Sequence, residues 1–194
     1  MKEDGDYEID FDERILSPES GELVRPVRTI PLNEFKMREF CRENGIVSYL
    51  PLKKEWKVRE YVKNGKSYRY SKIVMRPMFR SYIFVRLNDA QKAMLWASRK
   101  IARILTPASQ EQFLMEIRAV HAFELTGLEQ EVEFNSEIHE KDSFMIESGI
   151  WAGVSGWLEK REKHFEWVVW LDFANQYVRT TINPSLMKMR RLEQ

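Results

Sequence analysis

Between Leu23 and Ile182 the apolar positions switch between a period of two and a period of three to four, and each switch marks a change of element. Val24 and Val27 predict a short strand leading to Pro31. Met37, Phe40 and Cys41 then recur at i, i+3, i+4. They predict a helix capped by Asn33, running to about Asn44 and stopped by Gly45, with Cys41 as a core residue. Ile46 to Leu50 reads as a strand closed by Pro51. Trp56 and Val58, then Tyr68 and Tyr70, alternate on either side of Asn64-Gly65, which predicts a hairpin with a two-residue turn. A further strand is expected over Pro77 to Leu87, a helix capped by Asn88 or Asp89 through Trp96, and a strand over Ile101 to Leu105. Ser109 with Gln112 forms a capping box for a helix reaching about Ala122, with Phe113, Ile117 and Val120 turned inward.

Residues 124–137 are acidic with sparse apolar positions and read as a linker. After Ile138 only the period of two remains. Short runs at Phe144–Ile146, Val154–Leu158, Trp167–Phe173, Tyr177–Ile182 and Leu186–Met189 predict five strands of a small SH3-like barrel, with Trp157, Trp167 and Trp170 in its core. The fold class is therefore α+β: an antiparallel sheet with flanking helices over 23–123, a linker over 124–137 and a β-barrel over 138–194. Residues 1–22 show no periodicity and read as a disordered tail.

Charge sharpens this division. The chain of 194 residues has a net charge of +1. Nine acidic residues against Lys2 and Arg14 give residues 1–22 a charge of −7, so the remainder carries +8. Ten Lys/Arg fall between Lys53 and Arg80, against Glu55 and Glu60, with Trp56, Tyr61, Tyr68 and Tyr70 among them. Cations that pair with phosphates and rings that stack on bases suit single-stranded or frayed nucleic acid. Alternation along a hairpin would gather most of these charges on one face.

Two motifs carry a family resemblance. The run Pro77-Met78-Phe79-Arg80-Ser81-Tyr82-Ile83-Phe84-Val85 resembles the P-L-F-P-G-Y-V-F-V strand of NusG-like N-terminal domains, with Arg80-Ser81 in place of Pro-Gly. Gly149, Gly153 and Gly156 keep the G-x-x-x-G-x-x-G of the KOW module, whose opening glycine is Lys141 here. Pro31-Leu32-Asn33-Glu34 is similar to the family's P-x-x-E helix start, and Tyr49-Leu50-Pro51 to the end of its second strand. Arg25-Pro26-Val27 stands where the family has Trp-Tyr.

The resemblance implies a transcription elongation factor that binds the clamp helices of the largest subunit of RNA polymerase through Phe79, Tyr82 and Phe84. It places Lys53, Lys54, Arg69, Lys72, Arg76 and Arg80 toward upstream or non-template DNA, or RNA. It also makes Ile150 and Trp151 the barrel's contact for Rho or a ribosomal protein. A large aromatic residue in that turn is not expected to be fully buried. The departures from the family pattern suggest a specialised antitermination paralogue. A KOW-containing RNA-binding or ribosome-associated protein is the rival reading; it leaves the aromatic strand over 77–85 unexplained.

Catalysis finds no support. His121, His139 and His164 lack metal-ligand spacing to one another or to Cys41, and there is no glycine-rich phosphate loop. Neither a metal nor a cofactor is expected. One cysteine allows no internal disulfide. No apolar stretch is long enough to span a membrane, and the N-terminus does not read as a secretory signal. A monomer in the cytoplasm is expected.

Overall fold

The computed structural model describes residues 9–127, 132–135, 143–161 and 164–192. In chain order the elements are a 3₁₀ turn at Glu13–Leu16, β1 (Leu23–Thr29), α1 (Glu34–Glu43), β2 (Ser48–Tyr49), β3 (Leu52–Lys63), β4 (Lys66–Pro77), β5 (Tyr82–Leu87), α2 (Asp89–Ala97), β6 (Ile101–Ile104), α3 (Gln110–Gly127), β7 (Val132–Asn135), β8 (Ser143–Ile146), a 3₁₀ turn at Gly149–Trp151, β9 (Ser155–Arg161), β10 (His164–Leu171), β11 (Gln176–Ile182), a 3₁₀ turn at Pro184–Leu186 and β12 (Met189–Arg191). They fall into two compact units, one of Met1–Leu50 with Arg80–Gln110, the other of Pro51–Phe79 with Glu111–Gln194. The hairpin and most of α3 thus belong with the barrel.

The first unit is built on an antiparallel sheet in the order β2-β5-β1-β6. Ile83, Phe84 and Val85 of the central β5 are wholly buried. Pro26 sits inside β1, where a missing N–H would normally break a ladder. Its carbonyl accepts from Leu105, and the β1–β6 ladder starts only at Val27, so the nitrogen that lacks a proton lies where that pairing has ended. Met37 and Cys41 of α1 are buried as their spacing predicts, and burial pushes the Cys41 thiol up to about 11. Asn33 occupies the N-cap position of α1, but its side chain makes no capping bond; its amide donates to the Pro31 carbonyl instead. In α2 the capping box is complete, Asn88 accepting from the Gln91 N–H and Gln91 from the Asn88 N–H.

The acidic N-terminal segment departs from the expected tail. Residues 1–8 lie outside the described residues, but beyond them Asp12 caps the first 3₁₀ turn, Ile15 is wholly buried and the Phe11 ring meets Tyr49 edge-on at 4.9 Å. Arg86 of β5 pairs with Glu22 at 3.0 Å and donates to the carbonyls of Arg14 and Ser17. Two apolar side chains and one arginine hold a segment whose composition alone reads as disordered.

In the second unit, six strands in the order β12-β8-β9-β10-β11-β7 carry the barrel-type sheet. Four of the five expected strands are present; the fifth, expected over Leu186–Met189, is displaced, a 3₁₀ turn ending at Leu186 and β12 starting only at Met189, and β7, which pairs with β11, lies inside the stretch read as a linker. Trp167 is wholly buried, Trp157 nearly so, and Trp170 packs beside Trp157, Val168 and Tyr177. Arg179, 5% exposed, lies 3.8 Å from buried Glu159 and 3.5 Å from half-buried Glu166, so one guanidinium faces two carboxylates. Helix α3 continues to Gly127, five residues past its expected end, with Phe113, Ile117 and Val120 buried as their spacing predicts.

Candidate nucleic-acid interface and docking residues

The longest strands of the chain form a ribbon of their own. Among the described residues β3 and β4 pair only with each other, over twelve residues each. At the tip Asn64 (φ 53°) and Gly65 (φ 70°) both take the left-handed backbone of a type I′ turn, the turn that the dipeptide predicts. At the base Leu52 is buried and its N–H donates to the carboxylate of Glu124 at 2.8 Å, while the Met78 N–H donates to the Pro51 carbonyl. An isolated two-stranded ribbon is marginal in water, so this anchoring on α3 is what fixes its root.

The register sorts the side chains. Residues directly opposite share a face, and the rungs on one face are Lys53–Arg76, Glu55–Val74, Lys57–Lys72, Arg59–Tyr70, Tyr61–Tyr68 and Lys63–Lys66. That face holds seven cationic side chains and one acidic one. The other holds Leu52, Lys54, Trp56, Val58, Glu60 and Val62 against Pro77, Met75, Ile73, Ser71, Arg69 and Ser67. Trp56 is 67% exposed there.

The structure therefore brings together only part of the set expected from sequence. Lys53, Lys72 and Arg76 share the basic face, and Arg76 also lies 3.5 Å from Glu55. Lys54 and Arg69 are on the opposite face, where Arg69 lies 3.6 Å from Glu60. Arg80 is outside the ribbon, in the first unit. Lys57, Arg59, Lys63 and Lys66 join the basic face although the sequence reading did not single them out. The signal for them was parity: a two-residue turn sets odd positions of β3 against even positions of β4.

The expected continuous strand over Pro77 to Leu87 is broken. Pro77 ends β4, residues 78–81 turn, and β5 begins at Tyr82. Ser81, where the family pattern has glycine, takes the left-handed conformation (φ 63°) that glycine adopts freely. Its N–H donates to buried Glu34 at 2.7 Å, which gives the glutamate of the helix start a physical role. Of the expected polymerase-docking residues, Tyr82 is half-buried at the head of β5 and Phe84 is fully buried. Phe84 stands opposite both Pro26 and Tyr49, on the face where Arg86 holds the N-terminal segment. Phe79, in the second unit, is 4% exposed with its ring edge-on to Phe173 at 5.0 Å.

The barrel tip corrects another expectation. Ile150 is 56% exposed, but Trp151 is only 2% exposed. The 3₁₀ turn folds the indole down onto Phe123 of α3, ring centroids 4.6 Å apart and nearly perpendicular. Close by in the same unit, Glu116 of α3 is 4% exposed and accepts from the Phe173 N–H at 3.4 Å. Burial pushes its carboxyl from the ordinary 4.5 up to about 7, with the charge of Asp172 acting in the same direction and the backbone hydrogen bonds of Phe173 and Asp172 opposing. A folded state that holds this proton more tightly than the unfolded chain is favoured fully below about pH 4.5, and loses that advantage as pH rises through about 7. Glu116→Gln should therefore melt above the wild type at pH 8, with the difference vanishing toward pH 5; parallel melting curves at both pH values would remove this account.

Among the described residues no group of three His, Cys, Asp or Glu could hold a metal ion, and no helix is long and apolar enough to cross a membrane. His139 and Lys141 lie outside the described residues.

The family model described as "Transcription termination factor nusG" matches residues 26–124, from β1 into α3. A solved structure titled "Domain interaction in Thermotoga maritima NusG" is 15% identical, with a TM-score of 0.46, over 89% of this chain and 98% of that one. No curated protein matches. The family match spans more than half of the chain and takes in the sheet, the ribbon and the helix start at Glu34: the chain belongs to the NusG family of transcription elongation and termination factors.

Proposed function

We propose that this protein is an elongation factor of the antiterminator type. It binds the clamp helices of the largest RNA polymerase subunit and recruits a second factor, Rho or a ribosomal protein, through its KOW-type barrel. The observation that carries this reading is the family match over residues 26–124. Tyr82 is the side chain best suited to polymerase contact, because it is half-buried where Phe84 is fully enclosed. Phe84 supports the surface from within. At the barrel tip Ile150 offers an exposed apolar contact, while Trp151 is buried against Phe123.

Binding of the purified chain to core RNA polymerase tests the first step. Aromatic anchors dominate interfaces of this kind, so Tyr82→Ala should weaken binding by about tenfold or more while leaving the fold intact. Wild-type affinity in that variant would remove Tyr82 from the interface, and failure of the wild type to bind would remove the polymerase reading itself.

A further inference from the structure

One side of the first unit's sheet is more open at one end than at the other, and the closed end is covered by the chain itself. Tyr82, Phe84 and Arg86 alternate along β5 and so point to the same side. Opposite them on β1 stand Arg28, Pro26 and Val24, and Tyr49 of β2 stands opposite Phe84 on the other flank. At the Tyr82 end Arg28 is exposed and Tyr82 half-buried. At the Arg86 end lies the segment 9–22. Its Phe11 ring meets Tyr49 edge-on, and Arg86 reaches Glu22 and the carbonyls of Arg14 and Ser17. Beneath it Tyr49 is 1% exposed and the Arg86 side chain 11%.

The attachments of this segment are made by side chains. Ile15 is wholly buried, Phe11 is partly covered, and one guanidinium ties the segment to β5. Among the described residues it lends no strand to the sheet. A segment held outside the hydrogen-bonded ladder can open while the sheet beneath it stays folded. The family match begins at residue 26, so residues 9–22 lie outside the matched region. Five acidic residues against Arg14 make the segment an acidic ligand for a face whose cations are Arg28 and Arg86.

We infer that residues 9–22 form a displaceable strap that competes with RNA polymerase for this face. This regulation rests on the polymerase reading above. Docking starts at the end where Tyr82 and Arg28 lie. Release of the strap then uncovers Tyr49 and frees Arg86, with Phe84 left as the layer beneath. The strap's own chemistry defines what replaces it: a surface with apolar side chains for the places of Phe11 and Ile15, and a carboxylate for Arg86. While the strap is closed, apparent affinity falls in proportion to the fraction of molecules in which the face is open.

The test is binding of core RNA polymerase to the full-length chain and to two strap variants, with hydrogen exchange followed on each. Ile15→Asp puts a carboxylate into a buried apolar place and should eject the strap. Phe11→Ala with Glu22→Gln is milder: it removes the ring contact and the charged partner of Arg86 and keeps Ile15. Both should lose protection over residues 9–22 and keep it over β5. Both should bind polymerase more tightly than the wild type, Ile15→Asp by about tenfold for a strap closed about nine-tenths of the time. A synthetic peptide of residues 9–22 should compete with polymerase for the Ile15→Asp chain, and Tyr82→Ala in that background should abolish the gain. If Ile15→Asp also loses protection over β5, the milder pair decides. Unchanged or weaker binding by a variant whose strap has loosened would overturn the inference and leave the polymerase reading standing. So would a strap that stays protected in the wild-type complex. Absence of binding by the wild type and both variants would remove the polymerase reading and the strap's role with it.

Discussion

Gly156→Ala is expected to destabilise the barrel by about 3 kcal/mol or more, the upper end of what forcing extra volume into a packed interior costs. A Cβ at this position would stand 2.3 Å from the Val168 carbonyl oxygen and about 3 Å from the Trp167 ring. Neither neighbour can yield: one is backbone in the centre of the sheet, and the other is a wholly buried indole. Gly149 and Gly153 belong to the same motif for a different reason. Both hold a left-handed backbone, and a Cβ at either meets nothing closer than 4.0 Å. Alanine there should cost only about 1 kcal/mol of backbone strain. Urea unfolding followed by tryptophan fluorescence would report both effects. A Gly156→Ala midpoint equal to that of Gly149→Ala would show that the packing argument is wrong. The motif thus combines two constraints, left-handed turn geometry at its first two positions and absence of volume at its third.

Phe84→Ala should cost about 3–5 kcal/mol, the range for emptying a buried phenylalanine site. Phe84 has no exposed surface, its ring lies 6.0 Å from Tyr49, and Tyr49 in turn carries Phe11. The cavity would open beneath the N-terminal segment, so residues 9–22 should lose protection from hydrogen exchange along with the sheet. This prediction separates the two aromatic residues of β5. Tyr82→Ala should lose polymerase binding with little loss of stability, while Phe84→Ala should lose binding only as far as it unfolds. An unfolding midpoint for Phe84→Ala at the wild-type value would contradict the burial and return Phe84 to the surface.

Where local chemistry decides the backbone, the chain could be read directly. Asn64-Gly65 admits few alternatives to a type I′ turn, and Asn88, one of the two expected caps, starts α2. Phe113, Ile117 and Val120 show the buried stripe of α3 through spacing alone. The misreadings arose where a long-range interaction outweighs local composition. Nothing within residues 9–22 announces that Ile15 will be buried and Phe11 partly covered, because the apolar surface that receives them comes from distant strands. Trp151 reads as exposed because turns usually are, yet Phe123 offers a ring to cover it. β7 lies in a stretch of glutamates whose strand character comes from pairing with β11. For the candidate site, charge and aromatic content were legible in the sequence. The grouping of Lys57, Arg59, Lys63 and Lys66 onto one face needed the register.

The enclosed thiol of Cys41 makes the chain simple to label. It is the only cysteine, it has no exposed surface, and at about 11 its proton is held far above the pH at which maleimides react. A cysteine introduced at the exposed tip of the ribbon would therefore be the sole reactive sulfur in an otherwise unaltered protein. One dye placed there would test, in real time, whether nucleic acid reaches the ribbon.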